Sequence, residues 1–463
     1  MLDTASLPVQ NPADPRPTDG ARAPETATTR LPRATGSPTG AIRTLGTNPA
    51  TAPIVLHPGD AISTPRRVLY VILLGALTAL GPFTIDLYLP AFPVLEADFQ
   101  TTAAAIQLTL TGTMVGFALG QLIVGPLSDK VGRRIPLLAV TALHVVASVA
   151  AAMAPTLGTL GIARVFMGIG AAAGGVVAMA MVRDLFGGRR LVVMLSRLAL
   201  VTGVAPVVAP LIGSALMEVM PWRGLFVVLA CYGALMFLCA ILLLPETLPP
   251  ARRQDRGNTT MVQRYKSVFS DRVFLGVLVI GGMAFSGLFS YLSASPFLFQ
   301  EAYGLTAQEY GLLFAVNSLG VVVGVQVASR LAARFGPQWV LAFSTATLVI
   351  AGTTIIATDR LGLGLWGTVV PLFVFMTGVG FTMPCVQVLA LDRHGKAAGT
   401  AASILGAVNF GVAGLVSPIV GGVSHGAAIT ATTMAAVMVG CGLLAVAALW
   451  FIVRPRSVER LTP

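Results

Sequence analysis

From residue 68 onward the chain is a succession of apolar runs separated by short polar connections. About 20 residues of helix cross a bilayer core about 30 Å thick. Runs of that kind recur at 68–91, 102–124, 136–154, 157–181, 195–217, 224–245, 274–297, 308–330, 338–357, 364–389, 398–420 and 427–453. The pattern predicts an all-α membrane protein with 12 transmembrane helices. Pro82 and the paired prolines further on do not break it, because neighbouring helices re-satisfy a spanning helix's backbone. The longest interior connection is polar and basic and splits the spans six and six. The expected organisation is therefore a tail (1–66), a first six-helix bundle (67–246), a linker (247–273), a second bundle (274–453) and a short C-terminus (454–463).

Composition changes this picture only at the front. Residues 1–66 carry 11 of the 30 prolines and no apolar periodicity, so they are expected to be disordered. With 55% hydrophobic and 11% charged residues the chain lies far from a soluble multidomain balance of about 25% charged. The net charge of +11 is a matter of topology. Of the Lys and Arg, all but Arg164, Arg223 and Arg360 fall in the tail, the C-terminus and the loops of one side. That asymmetry places both termini in the cytoplasm and argues against a nucleic-acid footprint. Cys231, Cys239, Cys385 and Cys441 all sit in apolar runs without metal-ligand spacing and read as core fillers. No cleavable signal pattern stands at the start, so the first span is expected to serve as its own insertion signal.

One connection is chemically dense. GPLSDKVGRR (125–134) holds an acid, three cations and two glycines. A topology anchor explains Lys130, Arg133 and Arg134, but not the rest. Asp129 and Arg133 can pair four residues apart if the helix continues, and Gly132 permits a turn with positive φ. Gly125 reads as extending the stripe of Gly112, Gly116 and Gly120, which lets another helix approach closely. The loop has a weaker echo in RLAARFGPQ (330–338), where Arg334 and Gly336 repeat the spacing of Lys130 and Gly132. Repeated six-helix halves are a feature of transporters.

These residues carry a resemblance. GPLSDKVGRR resembles the loop signature of the major facilitator superfamily. LGTLGIARVFMGIGAAAG (157–174) resembles its fourth-helix motif, with Met167 where Gln is common, and VTGVAPVVAPLIGSAL (201–216) the fifth-helix proline motif of exporters. TIDLYLPAFP, MVRDLF, PWRGLF, LPETLP, YLSASPFLFQ and GTAASILG together resemble the Bcr/CflA drug-resistance subfamily. The resemblance implies the major facilitator fold, two bundles rocking about a central cavity. It also implies that Asp129, with Arg133, clasps the start of the eleventh helix at Gly399 and Thr400, whose dipole attracts a carboxylate. In span five, Gly203, Pro206, Pro210 and Gly213 form the exporter motif, the prolines on one face of a bent helix and the glycines allowing close packing.

Charges within spans are costly and mark function. Asp86 in span one and Arg164 in span four both lie roughly 9–10 Å below the same edge at about 1.5 Å per residue. They are plausible partners, directly or through water. Burial favours a neutral acid and a nearby cation favours a carboxylate, so rocking that changes this balance would couple proton movement to transport. A static structural pair is the alternative. Asp86, Met167, Tyr291, Asn317, Gln387 and Asn409 are candidates for the cavity lining, although Tyr291, Asn317, Gln387 and Asn409 can instead join helices. His144 in span three reads as a packed histidine. No GxxxxGK[ST] or HExxH motif is present, against a nucleotide-driven pump or a zinc enzyme.

The expected function is proton-coupled efflux of drugs or antibiotics, chloramphenicol-type or amphipathic and neutral or monocationic, across a bacterial inner membrane. No enzyme activity is expected, no cofactor beyond protons, and no partners beyond the drug and the bilayer; the chain is expected to be a monomer. The rival reading is a transporter of a small metabolite on the same fold.

Overall fold

The computed structural model describes residues 62–250, 253, 266, 268–392, 394, 398–424 and 428–457. The expectation of disorder for 1–61, and the linker residues 254–265, lie outside the described residues. Among the described residues twelve helices, some together with the turn or short helix that continues them, are long and apolar enough to cross a membrane. They are α1 (Thr64–Asp86), α2 (Ala103–Val131), α3 (Arg134–Ala152), α4 (Leu157–Leu185), α5 (Gly188–Val219) and α6 (Trp222–Leu243), then α7 (Arg272–Pro296), α8 (Ala307–Phe335), α9 (Pro337–Arg360), α10 (Gly364–Asp392), α11 (Ala398–Val416) and α12 (Ala431–Ala447).

The helices do not stop where the apolar runs do. α2 runs seven residues past its run, to Val131, because backbone bonding continues through the polar turn of SDKV. α1 already begins at Thr64, with Pro65 in its first turn, inside the segment expected to be tail. Three spans are interrupted at their far ends, opposite the basic loops. α1 ends at Asp86 and gives way to a 3₁₀ turn (Leu89–Ala91) and a short helix (Phe92–Asp98), since Pro90 lacks an N–H and biases Leu89 away from helix. α7 passes into a π-turn after Pro296, and α11 breaks at Ser417–Pro418 before a short helix, Ile419–Val423.

The packing repeats between halves. α2 packs on α4 as α8 packs on α10, and α3 packs on α6 as α9 packs on α12. The halves meet through α2 with α11 and α5 with α8. Gly132 (φ 110°) ends α2 and Gly336 (φ 88°) ends α8, so the faint sequence echo is one turn used twice.

Gly116 meets the backbone of α4 at Val165 and Gly168, while Gly112 and Gly120 face the Gly161 and Ile169 carbonyls, each 2.8 Å from an added Cβ. Gly324 and Gly380 repeat this close crossing between α8 and α10. Gly125 does not extend the stripe. It stands five residues, not four, beyond Gly120, and a Cβ there would meet only the Val176 side chain at 3.5 Å.

Among the described residues, buried apolar side chains form three clusters. One joins both halves at the end opposite the basic loops, through Phe92, Phe226, Phe297 and Phe314. The other two belong to one half each at the basic end, around Leu137 and Met181 in the first and Leu341 and Leu389 in the second. The halves share a core at one end and part at the other.

Candidate substrate and coupling site

The end of α1 delivers three polar residues to the middle of the first bundle. The Thr84 hydroxyl donates to the Leu80 carbonyl at 2.6 Å and accepts from His144 Nε2 at 2.9 Å. The Thr84 carbonyl takes a hydrogen bond from Arg164 Nη1 at 2.8 Å. His144 is thus the packed histidine expected, wholly buried against Gly170 and Gly233. The Arg164 guanidinium lies 3.8 Å from the Tyr88 ring centre and 5.7 Å from that of Phe226, and the Tyr88 hydroxyl bonds Thr109 at 3.0 Å. Ring faces and one carbonyl hold this cation in place of a counter-ion.

Asp86 and Arg164 are neighbours by charge but not partners by contact. Each acts on the other electrostatically. No ion pair joins them, because the guanidinium is turned to Thr84 and Tyr88. A direct pair is therefore corrected to a through-space one. Asp86 is 3% exposed, the one fully buried acid among the described residues, and its Oδ1 has no hydrogen-bond partner there.

Across the seam, the second half presents Tyr291 from α7 with Tyr310 and Asn317 from α8. The charge of Asp86 reaches both tyrosines. Tyr310 bonds Ser295 at 3.0 Å. Tyr291 stacks on Phe314, and its hydroxyl lies towards the Asn317 amide without strict hydrogen-bond geometry. Both Asn317 amide atoms, the Tyr291 hydroxyl, and Arg164 Nε and Nη2 are buried without partners among the described residues. Each such group costs about 1–3 kcal/mol, so this cluster rewards a polar ligand that satisfies it.

Not every expected lining residue joins the cluster. Gln387 is exposed five residues from the basic end of α10, because the helix runs on to Asp392. Met167, one turn from Arg164, is packed inside the shared core. Asn409 faces Gly281 of α7, whose added Cβ would stand 3.1 Å from its Oδ1.

The 125–134 stretch forms a compact ion network at the basic end. Arg133 pairs with Asp129 and also with Asp184 at 2.8 Å, and bonds Ser128 at 2.8 Å. Glu246 accepts the backbone N–H of Arg133 at 2.8 Å, Arg134 at 3.2 Å and Leu248 at 2.9 Å, beneath Gly132. Arg134 leaves the network and donates to the Ile241 carbonyl at 2.7 Å. The expected clasp to Gly399 and Thr400 is not made in this conformation: Gly399 is exposed with nothing within 4 Å of an added Cβ. The physical reason is the parting of α2 and α11 towards the basic end. Their contact runs from Thr111 and the Gly414 carbonyl (2.8 Å) through stacked Phe117 and Phe410 to Gln121 against Gly406.

In α5, Pro206 and Pro210 sit within one unbroken helix. Gly213 abuts the Leu87 carbonyl and Ser214 abuts Gly311 of α8, whereas Gly203 has nothing within 4 Å of an added Cβ, so only one glycine of the motif makes a close approach. Sequence reading missed Tyr88, Tyr310, Asp184 and Glu246 as contributors, although all but Tyr310 lie inside segments quoted for the resemblance.

A membrane-embedded pair of pseudo-repeated bundles, closed at one end over buried, unpartnered polar groups, defines a transporter of small molecules. The chain belongs to the Major Facilitator Superfamily, whose model matches residues 72–418. It is 37% identical over 77% of its length to an uncharacterized MFS-type transporter, YdgK of Bacillus subtilis, covering 89% of that protein. It is 27% identical over 83% to the bicyclomycin resistance protein homolog of Haemophilus influenzae, covering 96% of it. Identity to the multidrug resistance protein MdtL of Escherichia coli is 30% over 72% of this chain and 83% of that one. Among solved structures, a bacterial homolog of the lysosomal transporter Spinster, inward-facing and unoccupied, superposes with TM-score 0.67 at 16% identity, over 87% of this chain and all of that one.

Proposed function

We propose that the protein exports drugs or antibiotics from the cytoplasm by exchange for protons, with Asp86 as the proton-carrying group and the basic end facing the cytoplasm of a bacterial inner membrane. The observation that carries the reading is the position of Asp86: a buried carboxylate at a helix break, on the seam between the halves, with a free oxygen. A proton taken up from the outer side neutralises this acid. The Arg164 charge nearby favours its release once the halves rock. A cationic or hydrogen-bonding drug facing Tyr291 and Asn317 competes with the proton for the same carboxylate. Each 100 mV supplies about 2.3 kcal/mol per charge moved, roughly a fiftyfold gradient of a neutral substrate. The bicyclomycin and multidrug resistance relatives support a drug as cargo.

The test is uptake of chloramphenicol, and of an amphipathic monocation, into inverted vesicles under an imposed pH gradient. Wild type is expected to accumulate drug, and Asp86→Asn to bind it without uphill accumulation. Uphill accumulation by Asp86→Asn would make Asp86 structural. Absence of gradient-driven flux of either drug in wild type would turn the reading to a metabolite.

A further inference from the structure

A second site lies on the flank of the first bundle, away from Asp86. At the basic end a groove of about 350 Å³ opens between α1, α3 and α6, lined by Arg66, Leu69 and Tyr70, by Arg134, and by residues 241–245. Its parts are ordered by depth. Arg66 stands in the first turn of α1 and Arg134 at the first residue of α3, at the mouth. Leu69 follows one turn further along α1, Ile241 and Leu242 line the last turn of α6, and all three are exposed.

The two cations differ in availability: Arg66 is open and Arg134 is partly committed. Arg134 gives Nη2 to the Ile241 carbonyl, yet its Nε is buried without a partner among the described residues. Arg66 is exposed. Arg67 beside it, outside the groove lining, donates Nη2 to the Ile62 carbonyl at 2.9 Å and has its Nε buried without a partner among the described residues, as Arg134 does. The neighbouring carboxylate, Glu246, does not neutralise the mouth, because three backbone N–H groups take it up on the loop side.

A slot with guanidinium groups at interface depth and a leucine wall below it matches a phospholipid in both charge and direction. We propose that the groove binds an anionic phospholipid, its phosphate between Arg66 and Arg134 and its first acyl segments along Leu69, Ile241 and Leu242. The Arg134 fork then serves two purposes, bracing α3 on α6 through the Ile241 carbonyl and offering the headgroup its remaining donors. Basic pockets of this kind on the cytoplasmic side suit anionic headgroups. The lipid would brace the three helices next to the ion network of Arg133.

The experiment measures retained lipid by native mass spectrometry on the purified full-length protein given phosphatidylglycerol or phosphatidylcholine. It is paired with thermal melts in the same lipids. Each arginine near an anionic headgroup is worth about fivefold in affinity. Wild type is therefore expected to prefer phosphatidylglycerol by tenfold or more, Arg66→Gln to lose about fivefold, and Arg66→Gln with Arg134→Gln to fall to the phosphatidylcholine level. Arg66 is exposed, so Arg66→Gln carries the test alone should the double variant not fold. Equal retention of the two lipids by wild type, or an unchanged preference in Arg66→Gln, overturns the proposal. So does inorganic phosphate that stabilises the protein as fully as phosphatidylglycerol, which would make the groove a simple anion site.

Discussion

Arg164 shows how a single residue is kept charged in an apolar bundle without a carboxylate in contact. Its Nη1 has the Thr84 carbonyl and its face has the Tyr88 ring at 3.8 Å. Tyr88→Leu removes the ring and the bond to Thr109, so the purified variant is expected to melt lower by the equivalent of about 1–2 kcal/mol, whereas Tyr88→Phe keeps the ring and stays near wild type. Melting curves in detergent compare the two. Glu246 gives a pH-dependent counterpart. Burial raises its pKa, but the backbone N–H groups of Leu248, Arg133 and Arg134 and the charge of Arg253 together hold it below 4.5. The folded protein therefore binds this proton less readily than the unfolded chain. The stability it adds is present above the unfolded value and lost as pH falls through the folded one. Melts between pH 7 and pH 4 should show a shallower acid decline for Glu246→Gln than for wild type. Legibility followed sequence distance at this scale. Asp129 and Arg133 are four apart and could be read as a pair, but Asp184 and Glu246 reach Arg133 from 51 and 113 residues away, and no local pattern announces that.

Among the elements, the helix breaks matter most. Ends of helices leave backbone groups without intrahelical partners, and here a side chain from the opposite half supplies them. Gln107 of α2, fully buried, donates to the Ser293 carbonyl near the end of α7 at 3.2 Å. It accepts the Gly421 N–H in the first turn of the short helix after α11 at 3.1 Å. One amide thus fastens the first bundle to two broken spans of the second. Gln107→Leu forfeits both bonds, each worth about 0.5–1.5 kcal/mol, and is expected to open the seam at the end opposite the basic loops. Gln107→Glu keeps the acceptor and should fall between. Distances between spin labels on α2 and α11 at the end opposite the basic loops check this, and unchanged distributions would refute it. The spans themselves were legible because about 20 apolar residues in a row have few other uses. Their breaks were not, since Pro90 and Pro418 look like the tolerated prolines of α5 until the partners of the freed groups are known.

At the scale of the molecule, the two-bundle plan was legible from the basic connection and the six-and-six count, but the conformation was not. The apolar pattern does not say which end of the molecule holds the core shared by the halves; the structure places it opposite the basic loops. If the bundles close at the basic end during turnover, cysteines at Gly125 and Ala402, with the four native cysteines replaced, should cross-link in membranes under mild oxidant and arrest transport. Absence of a cross-link while transport continues would exclude this closure. The pairing of α2 with α11 explains the choice of positions. From Phe117–Phe410 to Gln121–Gly406 both helices advance four residues. The next four reach Gly125 and Ala402, and four more bring Asp129 to Ala398, beside Gly399. The gap between the halves can therefore shut tooth by tooth, as a zip does, with neither helix sliding or turning against the other. The acid at its last tooth then finds its seat without a search.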